Sequence, residues 1–337
     1  MIYFCSGRPT PGSARELQTF LMLSYGIFGT YRDQRERFKA VKKERKYGEV
    51  GQVESHFLDS GAFSLWTKSA IYAKEHKTPR WAYYDTDEFW QYMDDYAKFV
   101  KKNKIAVDLY ANVDVIPNPE LTYRNQKYLE DKHGLSPVPV IHYRTDLKWL
   151  SRYMKEGYKL IGLGGLVGSS NQTDCQGWIA QCFDLVCDQP SRLPRIKLHG
   201  FGVTSHKLLI RFPWWSVDSA SWAKVGAFGS ILVPPKRRGR FVYDKVPYVV
   251  RVSWESPAKK HFFTMSPLER AGVEEWLSFI GIPLGKEKNG EVLEVGVVTC
   301  TYTRRVANLF YYERLQESLP EWPWPYESSQ LGGFGLR

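Results

Sequence analysis

Short apolar runs recur along the chain, separated by stretches in which apolar positions fall three or four residues apart. The runs cover residues 2–5, 56–58, 105–113, 138–142, 159–163, 196–201, 214–217 and 230–233, which makes eight strand candidates. Between them the spacing predicts helices. Ser13 and Glu16 form a capping-box pattern ahead of LQTFLML. Thr86 is placed to cap a helix carrying Phe89, Trp90, Met93, Tyr96 and Val100 on one face. Further helices are predicted over 119–132, 146–156, 176–186 and 205–212. The charged stretch 31–52 reads as a helix plus a loop.

Strands alternating with helices call for a parallel sheet, because parallel neighbours need a crossover. Eight such units predict an α/β fold, a (β/α)8 TIM-like barrel, which takes about 250 residues. We assign residues 1–240 to this barrel and 241–337 to a C-terminal α-rich extension. The extension holds SPLERAGVEEWLSFIG, with Ser266 as cap, Pro267 in the first turn and Glu269 closing the box, and a second helix over 303–318. Its tail, LPEWPWPYESSQLGGFGLR, is rich in Pro and Gly and reads as irregular.

Composition narrows the function. Hydrophobic residues make up 43% of the 337, enough for a sizeable core. The formal net charge of +11 favours a polyanionic partner. The cysteines are five, Cys5, Cys175, Cys182, Cys187 and Cys300, without a CxxC pair. An odd, irregular set argues against a disulfide framework and against a zinc site, and fits a reducing, cytoplasmic setting. No apolar run is long enough to span a membrane, and the first residues lack the pattern of a signal peptide.

Barrels of this kind carry their chemistry at the C-terminal ends of strands. Here those ends hold Asp59 in LDSGAFS, Asp114 in DVIPNP, His142 in IHYRTD, Gly164 and Gly165 in LGGLVGSS, His199, Gly200 and Gly202 in LHGFGVTS, and Asp218 in SVDSASW. Each has an ordinary structural role open to it: a helix cap for an aspartate, a core position for a histidine, a tight turn for a glycine. Their coincidence at one set of strand ends suggests chemistry. Metal-dependent hydrolysis is one option, weakened by the lack of an HxH or HExxH pair. Substitution at a sugar carbon is another, with one carboxylate attacking and a second moving a proton.

These five motifs, in this order over about residues 55–222, resemble the tRNA-guanine transglycosylase superfamily. LDSGAFS resembles its DSGG-aromatic motif, DVIPNP its base-recognition loop, LGGLVGSS its GGL-x-VG loop and LHGFGVTS its MGVG loop. SVDSASW stands where the family has its nucleophile. The resemblance implies Asp218 as nucleophile on C1′ and Asp59 as general acid/base. It implies Asp114 as reader of the guanine donor edge and Gly164, Gly165 and Leu166 as a backbone cradle for the base carbonyl. Phe63 and His199 would sandwich the base, with Gly200 beside them, and His142 would lie near the exocyclic group or the incoming base's substituent.

The chain departs from the family after Asp218: it lacks the LPTR continuation and the CxCxxC zinc segment. No zinc subdomain and no cofactor are therefore expected. A zinc-free, basic member is similar to the DNA-guanine transglycosylases of phages and bacterial DNA-modification clusters, which exchange guanine for a 7-deazaguanine such as preQ0. The implied partners are DNA, with guanine flipped out or single-stranded, and the 7-deazaguanine base; the implied setting is the host cytoplasm if the gene is phage-borne. A homodimer or a partner modification enzyme is an additional expectation, and a membrane is not. The same chemistry on tRNA, or a catalytically silent DNA-binding barrel, are the alternatives. The basic run PPKRRGR is expected to set Lys236, Arg237, Arg238 and Arg240 beside the barrel mouth as phosphate contacts.

Overall fold

Eight short strands pair in parallel to form the central sheet of a mixed α/β fold. They are β1 (Ile2–Ser6), β2 (Phe20–Ser24), β3 (Ser55–Asp59), β4 (Leu109–Tyr110), β5 (Val140–His142), β6 (Leu160–Gly164), β7 (Lys197–Gly200) and β8 (Ser216–Ser219), in the order β4-β3-β2-β1-β8-β7-β6-β5. The computed structural model describes residues 1–6, 20–25, 39, 41–43, 45–46, 55–166, 172–255 and 261–327. Just beyond β4, Ala111 forms a parallel bridge to Val138, ahead of β5. There Asn112 N donates to Val138 O at 2.9 Å and Val138 N to Tyr110 O at 2.8 Å.

Register determines which side chains share a face, because alternate residues of a strand point to opposite sides. Phe4, Met22, Phe57, Ala111 and Val138 make a small cluster of their own on one face. Tyr3, Cys5, Leu58, Ile141, Ile161, Leu163, Leu198 and Val217, of the other parity, belong to the large core against the helices. A sheet buried on both faces uses near-continuous apolar runs, which is what most of these strands are.

Two helices open on predicted caps, at Thr86 and at the Ser266–Glu269 box. In α1 (Ala62–His76) the chain enters through Gly61 at φ 83°. The 3-10 turn Arg80–Asp85 leads to α2 (Asp87–Lys102), where the Thr86 hydroxyl accepts from Phe89 N at 3.3 Å. The α2 face Phe89, Met93, Tyr96 and Val100 is buried, as its spacing requires. Asn118 caps α3 (Pro119–Asp131) through Leu121 N at 2.9 Å. There follow α4 (Lys148–Lys155), α5 (Gln172–Val186), α6 (His206–Arg211) and α7 (Ser221–Ala227). The reciprocal Ser266–Glu269 box opens α8 (Pro267–Phe279).

The last helix, α9 (Thr301–Ser318), returns to the sheet. Its Tyr312 stacks on Tyr3 of β1 with ring centroids 4.4 Å apart, and Gln316 accepts from Tyr3 N at 2.8 Å. Asn308 accepts from Leu232 N at 2.7 Å and donates to the carbonyls of Trp222 and Ser230.

Two expectations are corrected. The run LQTFLML is not a helix through its end, since Phe20–Ser24 is β2, hydrogen-bonded on both sides to β1 and β3. A short, wholly apolar run fits a doubly buried strand as well as a helix, and sheet pairing decides for the strand. Ser13 and Glu16 of the proposed cap lie outside the described residues. Conversely, β9 (Ser230–Val233) is a strand but not a member of the parallel sheet. It pairs antiparallel with the strand Tyr248–Arg251. In the stretch 31–52, Lys39, Val41–Lys43 and Arg45–Lys46 are helical.

Candidate active site

The strand register brings the candidate residues to one face. Ser6, Asp59, His142, Gly164, His199 and Asp218 all carry the parity of the Phe4–Phe57 cluster, as the pairs Phe4–Asp218, Met22–Phe57, Val140–Gly162, His142–Gly164 and Gly162–His199 require. Asp59, His142, Gly164 and Ser6 are the last residues of their strands, and Asp218 is next to last.

Asp218 is 7% exposed and both of its oxygens are held. The Ser6 hydroxyl donates to Oδ2, and the Gly202 amide donates to Oδ1 at 2.8 Å. Gly202 sits at φ 67°, a conformation glycine adopts without strain, which turns its N–H toward the carboxylate. His199 Nε2 lies 3.5 Å from the same Oδ1.

Asp114 and His142 form a second unit. His142 Nε2 is 2.7 Å from Asp114 Oδ2, with Asp114 7% and His142 1% exposed. Gly164 makes room for this ring: a Cβ there would stand 3.1 Å from His142 Cδ2 and 3.2 Å from Val140 Cγ1. Gly165 turns the chain at φ 70°, and Leu166 is buried. The rest of that loop, 167–170, lies outside the described residues. The Asp114 loop is pinned by Thr122, whose hydroxyl accepts from Val115 N at 2.9 Å.

Asp59 ends β3 opposite Ser24 of β2. Its charge reaches the tyrosines of α2. Burial first, then Asp59, pushes the Tyr92 and Tyr96 hydroxyls up, and Asp114 adds to both. Tyr92 in turn donates to Ser60 O at 2.5 Å, tying the residue after Asp59 to α2. Phe63, in the first turn of α1, is 69% exposed and stacks on Trp66 at 5.8 Å. The Arg80 guanidinium lies 4.4 Å over the Trp66 ring.

Three assignments change. His199 is fully buried, its ring enclosed by Phe4, Phe57 and Phe201 at centroid distances of 6.0, 4.7 and 4.5 Å. A ring so enclosed offers no face for a base, so it is a neighbour of Asp218 and not half of a sandwich with Phe63. Gly200 has the opposite parity. A Cβ there would meet Val203 Cγ2 at 2.5 Å and Trp214 at 3.1 Å, so its bareness serves helix-side packing. The basic run is not brought to the site either. Its strands β10 (Lys236–Arg237) and β11 (Arg240–Phe241) form an exposed hairpin turning at Arg238 and Gly239.

That hairpin packs on the C-terminal segment. Lys236 pairs with Glu275 of α8, and Phe241 packs on Trp276 and Phe279. Gly239, Arg240 and Phe241 share a groove with Arg314, Glu317 and Ser318, the end of α9. The residues that follow, Leu319 to Trp322, lie with Met1, Ile2 and Trp215 at the N-terminal ends of β1 and β8, the edge of the sheet away from Asp218.

Sequence reasoning had not singled out Ser6, Ser216 or Tyr92. Ser6 carries a faint signal, a polar residue before glycine at the end of IYFCSG. Among the described residues no group of three or more His, Cys, Asp or Glu is arranged to hold a metal ion, and no helix is long and apolar enough to cross a membrane. No protein-family model matches the chain, and no curated protein matches it.

Proposed function

We propose that the protein is a glycosyltransferase that exchanges guanine in DNA for a 7-deazaguanine base through a covalent Asp218–sugar intermediate. One observation carries the reading: Asp218, oriented by Ser6 and Gly202, shares a sheet face and a strand-end rim with Asp59 and the Asp114–His142 pair. A nucleophile, a second carboxylate and a polar base-reading pair are the parts such a substitution needs. We also read the parallel sheet as a closed (β/α)8 barrel, with the Ala111–Val138 bridge joining its two outer strands.

In the proposed reaction a carboxylate oxygen of Asp218 attacks C1′ of the flipped nucleotide. The C1′–N9 bond breaks, and Asp59 delivers a proton to the departing guanine. The incoming base gives its N9 proton back to Asp59, attacks C1′ and displaces Asp218. Holding the acid/base and the nucleophile rigidly at the ends of β3 and β8, two strands of one sheet, supplies the orientation that makes such a step effectively unimolecular. Asp114 has one carboxylate oxygen engaged by His142, leaving the other to accept from the donor edge of the base. Flipping the nucleotide costs a few kcal/mol, roughly, and favours a target that is already unpaired.

The choice of DNA over RNA rests on the resemblance alone, since the net charge of +11 favours either polyanion. Incubating the protein with radiolabelled guanine and either duplex DNA, single-stranded DNA or tRNA tests it. Label entering DNA alone supports the proposal; label entering tRNA alone moves the substrate to RNA; label entering neither contradicts base exchange.

A further inference from the structure

His199 is a buried histidine whose two nitrogens face different partners. Nδ1 lies 2.8 Å from the hydroxyl of Ser216, while Nε2 faces Asp218 Oδ1 at 3.5 Å, longer than a well-formed hydrogen bond. The two tautomers are not equivalent there. A proton on Nδ1 would turn the Nε2 lone pair toward the oxygen lone pairs of Asp218, in a pocket walled by phenylalanines where such repulsion is poorly screened. A proton on Nε2 lets Ser216 donate to Nδ1 and aims an N–H at Asp218. Ser216 is itself fully buried, so its hydroxyl serves this contact and is not a nucleophile.

We propose that His199 is a positioning residue for Asp218, with Ser216 selecting the tautomer that carries its proton on Nε2. The carboxylate then faces three donors: the Ser6 hydroxyl, the Gly202 amide and the His199 ring. The role of this arrangement in catalysis rests on the base-exchange reading. The groups facing the ring are Phe4 of β1, Phe57 of β3, Gly162 of β6, Phe201 after β7, and Ser216 and Asp218 of β8. Asp218 alone among them is charged. Burial lowers the His199 pKa and Asp218 opposes that shift, a net direction that favours the neutral ring. A neutral donor orients the carboxylate without pairing its charge; a protonated ring would hold it in an ion pair and blunt its attack.

The test has two arms on the full-length protein. In the first, nitrogen-15 NMR of the labelled histidines, with His199→Gln identifying the resonance, reads tautomer and titration directly. We expect the Nε2–H form in the wild type, a mixture with Nδ1–H in Ser216→Ala, and a midpoint lower by about one pH unit in Asp218→Asn. An Nδ1–H wild type, or a midpoint that Asp218→Asn leaves in place, overturns the proposal.

In the second arm, formation of the covalent protein–DNA adduct is followed against pH. His199→Leu should slow it roughly 10- to 100-fold. His199→Gln, which keeps an N–H donor, should restore much of the rate and abolish the fall at acid pH. A His199→Leu rate and pH profile equal to the wild type's overturn the positioning role. A wild type that forms no adduct refutes base exchange and the catalytic half of the proposal, and the first arm then decides the His199–Asp218 pairing alone.

Discussion

His142 Nε2 lies 2.7 Å from Asp114 Oδ2, and this contact joins the chain leaving β4 to the end of β5 with both side chains buried. It also orders the site, since it engages one oxygen of Asp114 and so determines which one the proposed base would meet. Removing either partner should be costly, but unequally. His142→Ala strands a buried carboxylate without its donor and should destabilise the fold by about 3 kcal/mol. Asp114→Asn keeps an acceptor for the ring and should cost about 1–2 kcal/mol. Urea denaturation of the two variants checks the order; equal stabilities would contradict it.

Glycine positions on the same face are predicted to be intolerant. A Cβ at Gly162 would stand 2.3 Å from the ring of Phe201, so Gly162→Ala must displace that ring inside the Phe4–Phe57 cluster. We expect a loss of about 1–3 kcal/mol. Gly177, within α5, has open space where a Cβ would go, and Gly177→Ala should gain about 0.5–1 kcal/mol through helix propensity. Thermal melts of the two variants should move in opposite directions.

The acid response should show two windows. Burial lowers the pKa of His199, and likewise that of His206 despite its contact with Tyr243 O. Between the usual value of 6.5 and the lowered folded values, the unfolded chain binds protons that the folded chain does not. Stability is therefore complete above that range and falls as pH drops through it. His206→Gln should flatten part of this slope in melting temperature as pH falls below the usual value of 6.5.

The second window belongs to Asp94. Burial opposes ionisation there, but hydrogen bonds from Tyr128, His133 and Lys132 hold the carboxyl down to about 2. These contacts tie α2 to α3 and its C-terminal flank. Their contribution is present above the usual value of 3.8 and is lost as pH falls through about 2. Asp94→Asn should cost about 1 kcal/mol at neutral pH, a figure reduced for partial solvent exposure, and almost nothing at the acid end. A constant cost across pH would rule this out.

Much of this architecture was legible in the chain because it is written locally. Thr86 and the Ser266–Glu269 box sit where helices begin, and α2 buries the face that its spacing marks. Strand ends at Asp59 and His142 followed from short apolar runs. What escaped was set by pairing between distant segments. Phe20–Ser24 has no local signature separating strand from helix, and Ser230–Val233 has none separating a parallel partner from an antiparallel one. The same holds within the site. Whether His199 or Gly200 faces the carboxylates depends on register, and Ser6 and Ser216 acquire meaning only when β1, β7 and β8 lie side by side. The place of the basic run likewise follows from long-range packing, of Lys236 and Phe241 on α8.

The central claim is that Asp218 attacks a sugar carbon, and trapping the adduct tests it most directly. The wild type is incubated with a guanine-containing DNA oligonucleotide, denatured, digested and mapped by mass spectrometry. The account predicts a nucleotide-bearing peptide with the DNA attached at Asp218, lost in Asp218→Asn and cleared on adding a 7-deazaguanine base. An adduct mapped to another residue, or exchange that proceeds at full rate in Asp218→Asn, would contradict it.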